Sequence, residues 1–321
     1  MITEKRFENI YFNLKEHEFK DLKILKNKAL WEMIFNVFII TVLCWGCVGI
    51  FRPLSKSLDP IITNICFTIY IFIIPFVIYK TVKNKQWKAY KANYKSKIIE
   101  NILKEFVEDF EYMPNKGINR ITYSDAEFER FDIFQSEDLI HGKFKDKSFD
   151  IAEVHTQKLS KNKQEEQWHY ELFRGLVAVA HTPKLFGTNF YLTQNGKKIK
   201  TNKYNFQRDF KNIKVELDMP EFEKYFDVYC TDKILAMQLL TADIMEELTR
   251  FKKEIKIQYE LTIKESTIYL RFKSGKMFEP PNFFKPLSNK ATVYKYYRIL
   301  DFIFLILDKL VNMINETEYD N

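Results

Sequence analysis

The sequence predicts an α+β protein: an N-terminal transmembrane helical hairpin with a helical stalk, followed by a cytosolic, mixed, mainly antiparallel sheet packed with helices. Three observations predict it. The stretches MIFNVFIITVLCWGCVGIF (33–51) and IITNICFTIYIFIIPFVIY (61–79) carry no charge, and each is close to the roughly 20 residues a spanning helix needs. Beyond about residue 115 the chain breaks into short runs of alternating polarity, the pattern of half-buried strands. Between these parts lie glycine-free stretches with apolar residues at helical spacing, such as Ile98, Ile99, Ile102, Leu103, Phe106, Val107 and Phe110. The resulting domains are a cytosolic N-terminal helix (1–32), the two-helix hairpin (33–79), a juxtamembrane stalk helix (80–114) and a cytosolic α+β domain (115–321).

With 46% hydrophobic and 16% aromatic residues, and only 8 glycines and 9 prolines, the chain has ample core material and few flexible linkers, which excludes a disordered protein. Four cysteines in 321 residues do not make a disulfide scaffold and fit a reducing compartment. The first apolar stretch follows a segment rich in acids and bases and lacks a small-residue cleavage motif, so it reads as retained rather than as a signal peptide. Lysines crowd both outer flanks of the hairpin, while the turn RPLSKSLDP holds only Arg52 and Lys56. That asymmetry predicts a multi-pass protein of the bacterial inner membrane with both termini cytoplasmic.

Within the hairpin, CWGC has the spacing of a thiol redox pair, but a thiolate in hydrocarbon carries a large desolvation cost. Cys44, Gly46, Cys47 and Gly49 read better as small residues that let a second helix approach. Asn64, Thr68 and Pro75 share one face of the second stretch and read as a packing seam; the alternative is a lined pathway, although no ionisable residue marks one. On the stalk, Lys80, Lys83, Lys85, Lys88 and Lys91 interleave with Trp87, Tyr90 and Tyr94. This pattern suits anionic headgroups, at about 1 kcal/mol per basic residue near the surface.

In the last domain NRITYS, DLIHGKFK and SFDIAEVHTQKL read as strands, the latter two forming a hairpin. ELFRGLVAVAHT and TNFYLT add two more, and KIQYELTIKEST with IYLRFKSG forms a late hairpin. PEFEKYF starts a helix, and TDKILAMQLLTADIMEELTRFKKEI is a long helix or a broken pair with threonine or aspartate caps. ILDFIFLILDKLVNMI is too short and too charged for a third span, and predicts a helix packed on the sheet or on a neighbouring subunit.

The order of a two-span hairpin, FERFDIFQSEDLIHGKF, ELFRGLVAVAHTPKLFGTNFYL and MPEFEKYFDVYCTDKILAMQLLTADIMEEL resembles the bacterial Domain-of-Unknown-Function-3137 (DUF3137) membrane-protein family. The resemblance runs from about Phe19 to Pro281, and FEKYFDVYCTD is its most specific part. Phe173, Arg174 and Gly175 stand where that family shows a Phe-Lys-Gly type signature. The resemblance implies membrane anchoring, no assigned activity and no catalytic residues to carry over.

No zinc spacing, phosphate loop, dinucleotide fingerprint or nucleophile elbow occurs, so no metal, cofactor or catalytic residue is assigned. Asp138, His141, Glu153, His155, His169 and Glu171 can converge as acid–base groups, but surface positions on alternating strands explain them more simply. The segment 197–214 holds seven basic residues, Lys197, Lys198, Lys200, Lys203, Arg208, Lys211 and Lys214, against one acid. Anion or lipid contact, single-stranded nucleic acid and a solvated loop all suit it, the last most simply. The sequence-level reading is a non-catalytic, membrane-anchored interaction module, a scaffold or sensor that self-associates and binds lipids and a protein partner. The alternative is a ligand-gated membrane effector of stress or phage defence that binds a nucleotide or nucleic acid and perturbs the bilayer.

Overall fold

The computed structural model describes residues 2–54, 85–145, 147–161, 167–196, 214–281 and 285–316. The chain divides into two compact units, Met1–Ile98 with Glu279–Lys290, and Ile99–Phe278 with Ala291–Asn321.

In the first unit α1 (Ile2–Asn13) runs through a π-helical turn at Leu14–Glu18 into α2 (Phe19–Leu54). Phe7, Ile10, Leu14, Phe19, Leu22 and Ala29 recur at helical spacing and are buried. Helix α3 (Lys85–Leu103) brings the buried Tyr90, Tyr94 and Ile98 to this unit, and Lys97 reaches Glu18 at 2.5 Å. Lys26, itself buried, donates to the carbonyl of Lys285. Burial holds its ammonium below the ordinary lysine range. Further along α2, Trp31, Phe35, Phe38 and Val42 are exposed.

The expected transmembrane hairpin is corrected here. Among the described residues no helix is long and apolar enough to cross a membrane. The first turns of α2 carry Lys20, Asp21, Lys23, Lys26, Lys28 and Glu32 and bury one face in this unit. The stretch 61–79 lies outside the described residues, as do the α2 side chains from 43 onward. The multi-pass inner-membrane location, the lipid partners and the membrane-anchored reading, with its bilayer-perturbing alternative, are withdrawn with the hairpin.

In the second unit, nine described strands make one antiparallel sheet. They are β1 (Phe110–Met113), β2 (Ile133–Phe144), β3 (Lys147–Lys161), β4 (Gln167–His181), β5 (Phe190–Gln194), β6 (Lys214–Val215), β7 (Phe226–Cys230), β8 (Tyr259–Lys264) and β9 (Thr267–Phe272). Their spatial order is β1-β2-β3-β4-β9-β8-β5-β7-β6. Phe110–Met113 pairs with β2, so the expected stalk gives way to sheet before residue 114.

Two layers cover the sheet. On one face lie α7 (Ala242–Ile255) and α8 (Lys290–Glu316), after the short helices α5 (Pro220–Glu223) and α6 (Lys233–Leu239). Phe302 of α8 stacks on Phe251 at 3.8 Å and meets Tyr259 edge-on, and Phe304 packs on Phe144 and Phe149. Of the polar residues on α8, Asp308 is bonded by Lys145 and Asn312 by Lys147. The stretch read as a long helix or a broken pair is broken at Leu240. Asp232 caps α6 through the N–H groups of Ile234 and Leu235, and Thr241 caps α7 through that of Ile244.

On the other face, helix α4 (Arg120–Asp125) and the chain after it cover Val154, Phe173, Val177, Val179 and Tyr269. NRITYS, expected as a strand, is helical because Asn119 accepts from the N–H of Ile121 and starts a turn that drives Tyr123 into this core. Under it Arg271 is buried between Glu260 and Glu129 and receives the faces of Phe128 and Phe173 at 4.4 and 5.0 Å.

Candidate functional site

Strands β3 and β4 are longer than their neighbours. Pairing of β4 with β9 begins at Leu176 and the Gly275 N–H reaches the Arg174 carbonyl just before it, so among the described residues Gln167–Phe173 has no strand on its far side. Beyond the last β2 pair, Ile133 with Gln157, the two strands continue alone as an arm, with Lys158 opposite Tyr170, Leu159 opposite His169 and Ser160 opposite Trp168. Trp168 and Tyr170 are 59% and 50% exposed.

A bulge rephases the arm. Thr156 faces Phe173 but Gln157 faces Glu171, which makes Leu172 the extra residue. Across it the side-chain alternation of β4 shifts by one. Trp168 and Tyr170 therefore stand on the α4 face with Phe173, and Glu171 stands on the opposite face with Arg174.

The backbone of the arm can be read in the same way. In an antiparallel ladder, facing residues either exchange both hydrogen bonds or turn their peptide groups away from each other. The carbonyl of Gln157 accepts from the N–H of Asp132 at 2.9 Å, on the β2 side. Its partner Glu171 therefore turns its own groups to the open edge of β4, and alternation puts those of His169 and Gln167 there too. The opposite edge of the arm is guarded. The carboxylate of Asp132 accepts from the N–H of Leu159 at 2.8 Å, and lysines occupy 158 and 161, whereas Gln167–Phe173 contains neither lysine nor proline.

At the base of the arm a polar group forms on the face shared with Arg174. His155 Nε2 lies 3.1 Å from Glu171, and an Arg174 nitrogen approaches the imidazole at 3.1 Å. Burial, followed by the Arg174 charge, holds His155 below the ordinary histidine range, against the pull of Glu171. One register step away, Glu137, Asp138 and Glu153 bring carboxylate oxygens within 4.8 Å of one another. Asp138 is fully buried in a β2 bulge with a φ of 60°. It accepts from the Tyr112 hydroxyl at 2.6 Å; burial first, and then this bond, push that phenol upward. Glu153 accepts from the N–H groups of Met277 and Phe278 at 2.7 and 2.9 Å, and Lys276 stands 3.7 Å from Glu137. These three carboxylates are the described residues with the oxygen set a hard cation takes. Their hydrogen bonds equally make them the tie between β1, the β2 bulge and the 273–278 turn.

Of the acid–base residues expected from sequence, Asp138 joins Glu153, and His155 joins Glu171. His141 instead meets Asp150 at 2.7 Å, and His169 sits on the arm opposite Leu159. Glu137 and Lys276 were missed. The equal parity of Gln135, Glu137, Glu153 and His155 on paired strands is the signal that finds the first; nothing local in the sequence marks the second.

The remaining expected sites are resolved in part. Tyr90 and Tyr94 are buried within their own unit rather than offered to headgroups, with the Tyr94 phenol pushed up to about 12 by burial. Trp87 packs 5.1 Å from Tyr90, and Lys91 pairs with Glu279 at 2.6 Å. Lys85 and Lys88 lie on α3. Lys80, Lys83, Asn64, Thr68 and Pro75, the side chains of Cys44, Gly46, Cys47 and Gly49, and the basic positions from Lys197 to Lys211 lie outside the described residues. Lys214 pairs with Asp227 at 2.6 Å.

Similarity to known proteins is confined to part of the chain. A family model described as a protein of unknown function (DUF3137) matches residues 171–311. That is less than half of the chain. The extent expected from sequence, Phe19 to Pro281, is thereby corrected: the match begins at β4 and runs into α8, leaving out the N-terminal part where a membrane hairpin was expected. No curated protein matches. A solved structure, the crystal structure of the mycobacterial trehalose monomycolate transport factor A, TtfA, is similar at 8% identity, covering 65% of this chain and 93% of that one with a TM-score of 0.33. A score that low carries no argument about this chain.

Proposed function

We propose that this chain is a non-catalytic interaction module that takes an extended segment of a protein partner as an added strand on the open edge of β4. The observation that carries this reading is the edge itself: outward peptide groups at Gln167, His169 and Glu171, flanked by exposed Trp168 and Tyr170. Main-chain hydrogen bonds supply affinity in strand addition, and pockets or platforms for alternate side chains supply specificity. Aromatic residues are the side chains most enriched at binding hot spots. The two faces of the arm differ, Trp168 and Tyr170 on one and the His155, Glu171 and Arg174 group on the other. An incoming strand therefore meets an aromatic platform on one side and charge on the other.

The test is selection of a display library of random extended peptides on the full-length protein, with His169→Pro as counter-target. Proline at 169 removes an outward N–H while leaving the β3-facing bonds of its neighbours in place. Peptides that bind the parent and lose binding to His169→Pro are expected. A library that yields none, or peptides that ignore the proline, overturns the reading.

A further inference from the structure

We infer that the strand taken up by the β4 edge is the same edge of a second copy of this chain, paired antiparallel about a two-fold axis at His169. The inference rests on the strand-addition reading and names its partner.

Self-complementarity carries it. With His169 facing His169 of the other copy, Gln167 faces Glu171, and Glu171 faces Gln167. These are the positions whose peptide groups point outward, so each facing pair exchanges two main-chain hydrogen bonds, about six across the axis. Trp168 then faces Tyr170 in the intervening non-hydrogen-bonded pairs, where side chains approach most closely, twice by symmetry. Cross-strand aromatic pairs of this kind stabilise a ladder.

Charge permits the same register. Gln167 offers an amide to the Glu171 carboxylate, and no carboxylate faces a carboxylate. A shift by one residue brings inward-turned peptide groups opposite outward-turned ones and forfeits the ladder. A two-fold axis closes the assembly at two copies through that edge and leaves no free copy of it to continue. The lysine-bearing, Asp132-capped edge of β3 then forms the outer border of a four-stranded ribbon, the place where lysines protect an edge.

The pairing is a small interface. An overlap of about five residues per copy buries less than the roughly 1,200 Å² of a standard stable complex, which points to a weak dimer in reversible exchange with monomer.

Two measurements on the full-length protein test it. Mass by light scattering, followed as the concentration is raised to about 100 μM, is expected to move from monomer to dimer. His169→Pro and, independently, the exposed-side-chain variant Tyr170→Ser are each expected to weaken the dimer about tenfold or more. In parallel, His169→Cys is oxidised mildly beside Ser160→Cys and the parent with its native cysteines. Residues facing each other across such an axis have Cα atoms about 5.5 Å apart, within disulfide range. The two Ser160 positions are three strand spacings apart, about 14 Å, and out of range. A disulfide-linked dimer from the 169 variant alone supports the inference.

A protein that stays monomeric, or a dimer indifferent to His169→Pro and Tyr170→Ser with equal cross-linking at 160 and 169, overturns it. If that monomer still selects proline-sensitive peptides, the second copy is excluded and strand addition stands. If it selects none, both fall.

Discussion

His155 Nε2 lies 3.1 Å from Oε2 of Glu171, and these two residues stand on opposite sides of the bulge that separates the sheet from the arm. Arg174 approaches the same imidazole from the other direction. Burial and the Arg174 charge together keep His155 neutral to lower pH than a free histidine. Between the unfolded value, about 6.5, and the lower folded one, the unfolded chain binds more protons. Stability therefore falls as pH drops through that window. Thermal unfolding followed from pH 8 to 5 is expected to show this decline, and His155→Gln is expected to flatten it.

Arg271 is shared by Glu260, Glu129 and the Tyr123 hydroxyl beneath α4. Removing a single member of a buried ionic group leaves its partners uncompensated at a cost of about 3–5 kcal/mol. Arg271→Met is expected to lose stability on that scale in urea titrations, and the triple replacement with Glu129→Gln and Glu260→Gln is expected to recover much of it.

The same group sets an acid limit. Burial alone would raise Glu129, but Arg271 and the hydroxyls of Tyr123 and Thr156 outweigh it and hold the carboxyl below its ordinary range. Its contribution is present above the unfolded value of about 4.3 and is lost as pH falls through the folded one. Glu129→Gln is expected to remove this part of the acid dependence while lowering stability at neutral pH. Paired acid titrations by circular dichroism would measure both effects.

Gly175 has its backbone pressed against the end of β9. A Cβ placed there meets the Phe272 carbonyl oxygen at 1.8 Å, and backbone cannot swing aside like a side chain. Gly175→Ala is expected to cost about 1–3 kcal/mol, the scale of overpacking. Gly196→Ala, with open space but a φ of 71°, is expected to pay only for its left-handed backbone, about 1 kcal/mol. Denaturant midpoints of the two variants would rank them.

Glu153 ties the Met277 and Phe278 amides, and Glu153→Gln, which weakens both bonds, is expected to cost about 1–3 kcal/mol. Because those amides already satisfy Oε1, millimolar magnesium or calcium is expected to leave the melting temperature unchanged. A rise with metal that Glu153→Gln abolishes would instead identify Glu137, Asp138 and Glu153 as a cation site, since saturation at 100 times the dissociation constant adds about 2.7 kcal/mol.

Much of the sheet was legible because its strands are short runs rich in β-branched and aromatic residues and its turns carry polar residues. Helix α7 was legible from its cap and apolar stripe. The helix at Arg120 was not, because its six residues are too few for periodicity to outvote an alternating look. The transmembrane reading followed from uncharged length alone, whereas among the described residues no helix is long and apolar enough. As for the site, alternation on β2 and β3 brings Glu153 and His155 to one face. The partnership of His155 with Glu171 depends on a one-residue bulge that no local pattern announces, and Arg271 acquires its role only through α4, far away in sequence.

Leu172 occupies the arm much as an extra link occupies a chain, taken up between two facing pairs without a partner of its own across the ladder. Loss of that one codon would leave composition, charge and strand length almost unchanged. It would join Phe173 directly to Glu171, with Thr156 still facing the one and Gln157 the other, so Trp168 and Tyr170 would keep their side and only the local twist of the bulge would go. The orientation of the binding edge thus rests on its pairing with β3, and a lineage can drop the bulge in a single step while keeping both faces of that edge.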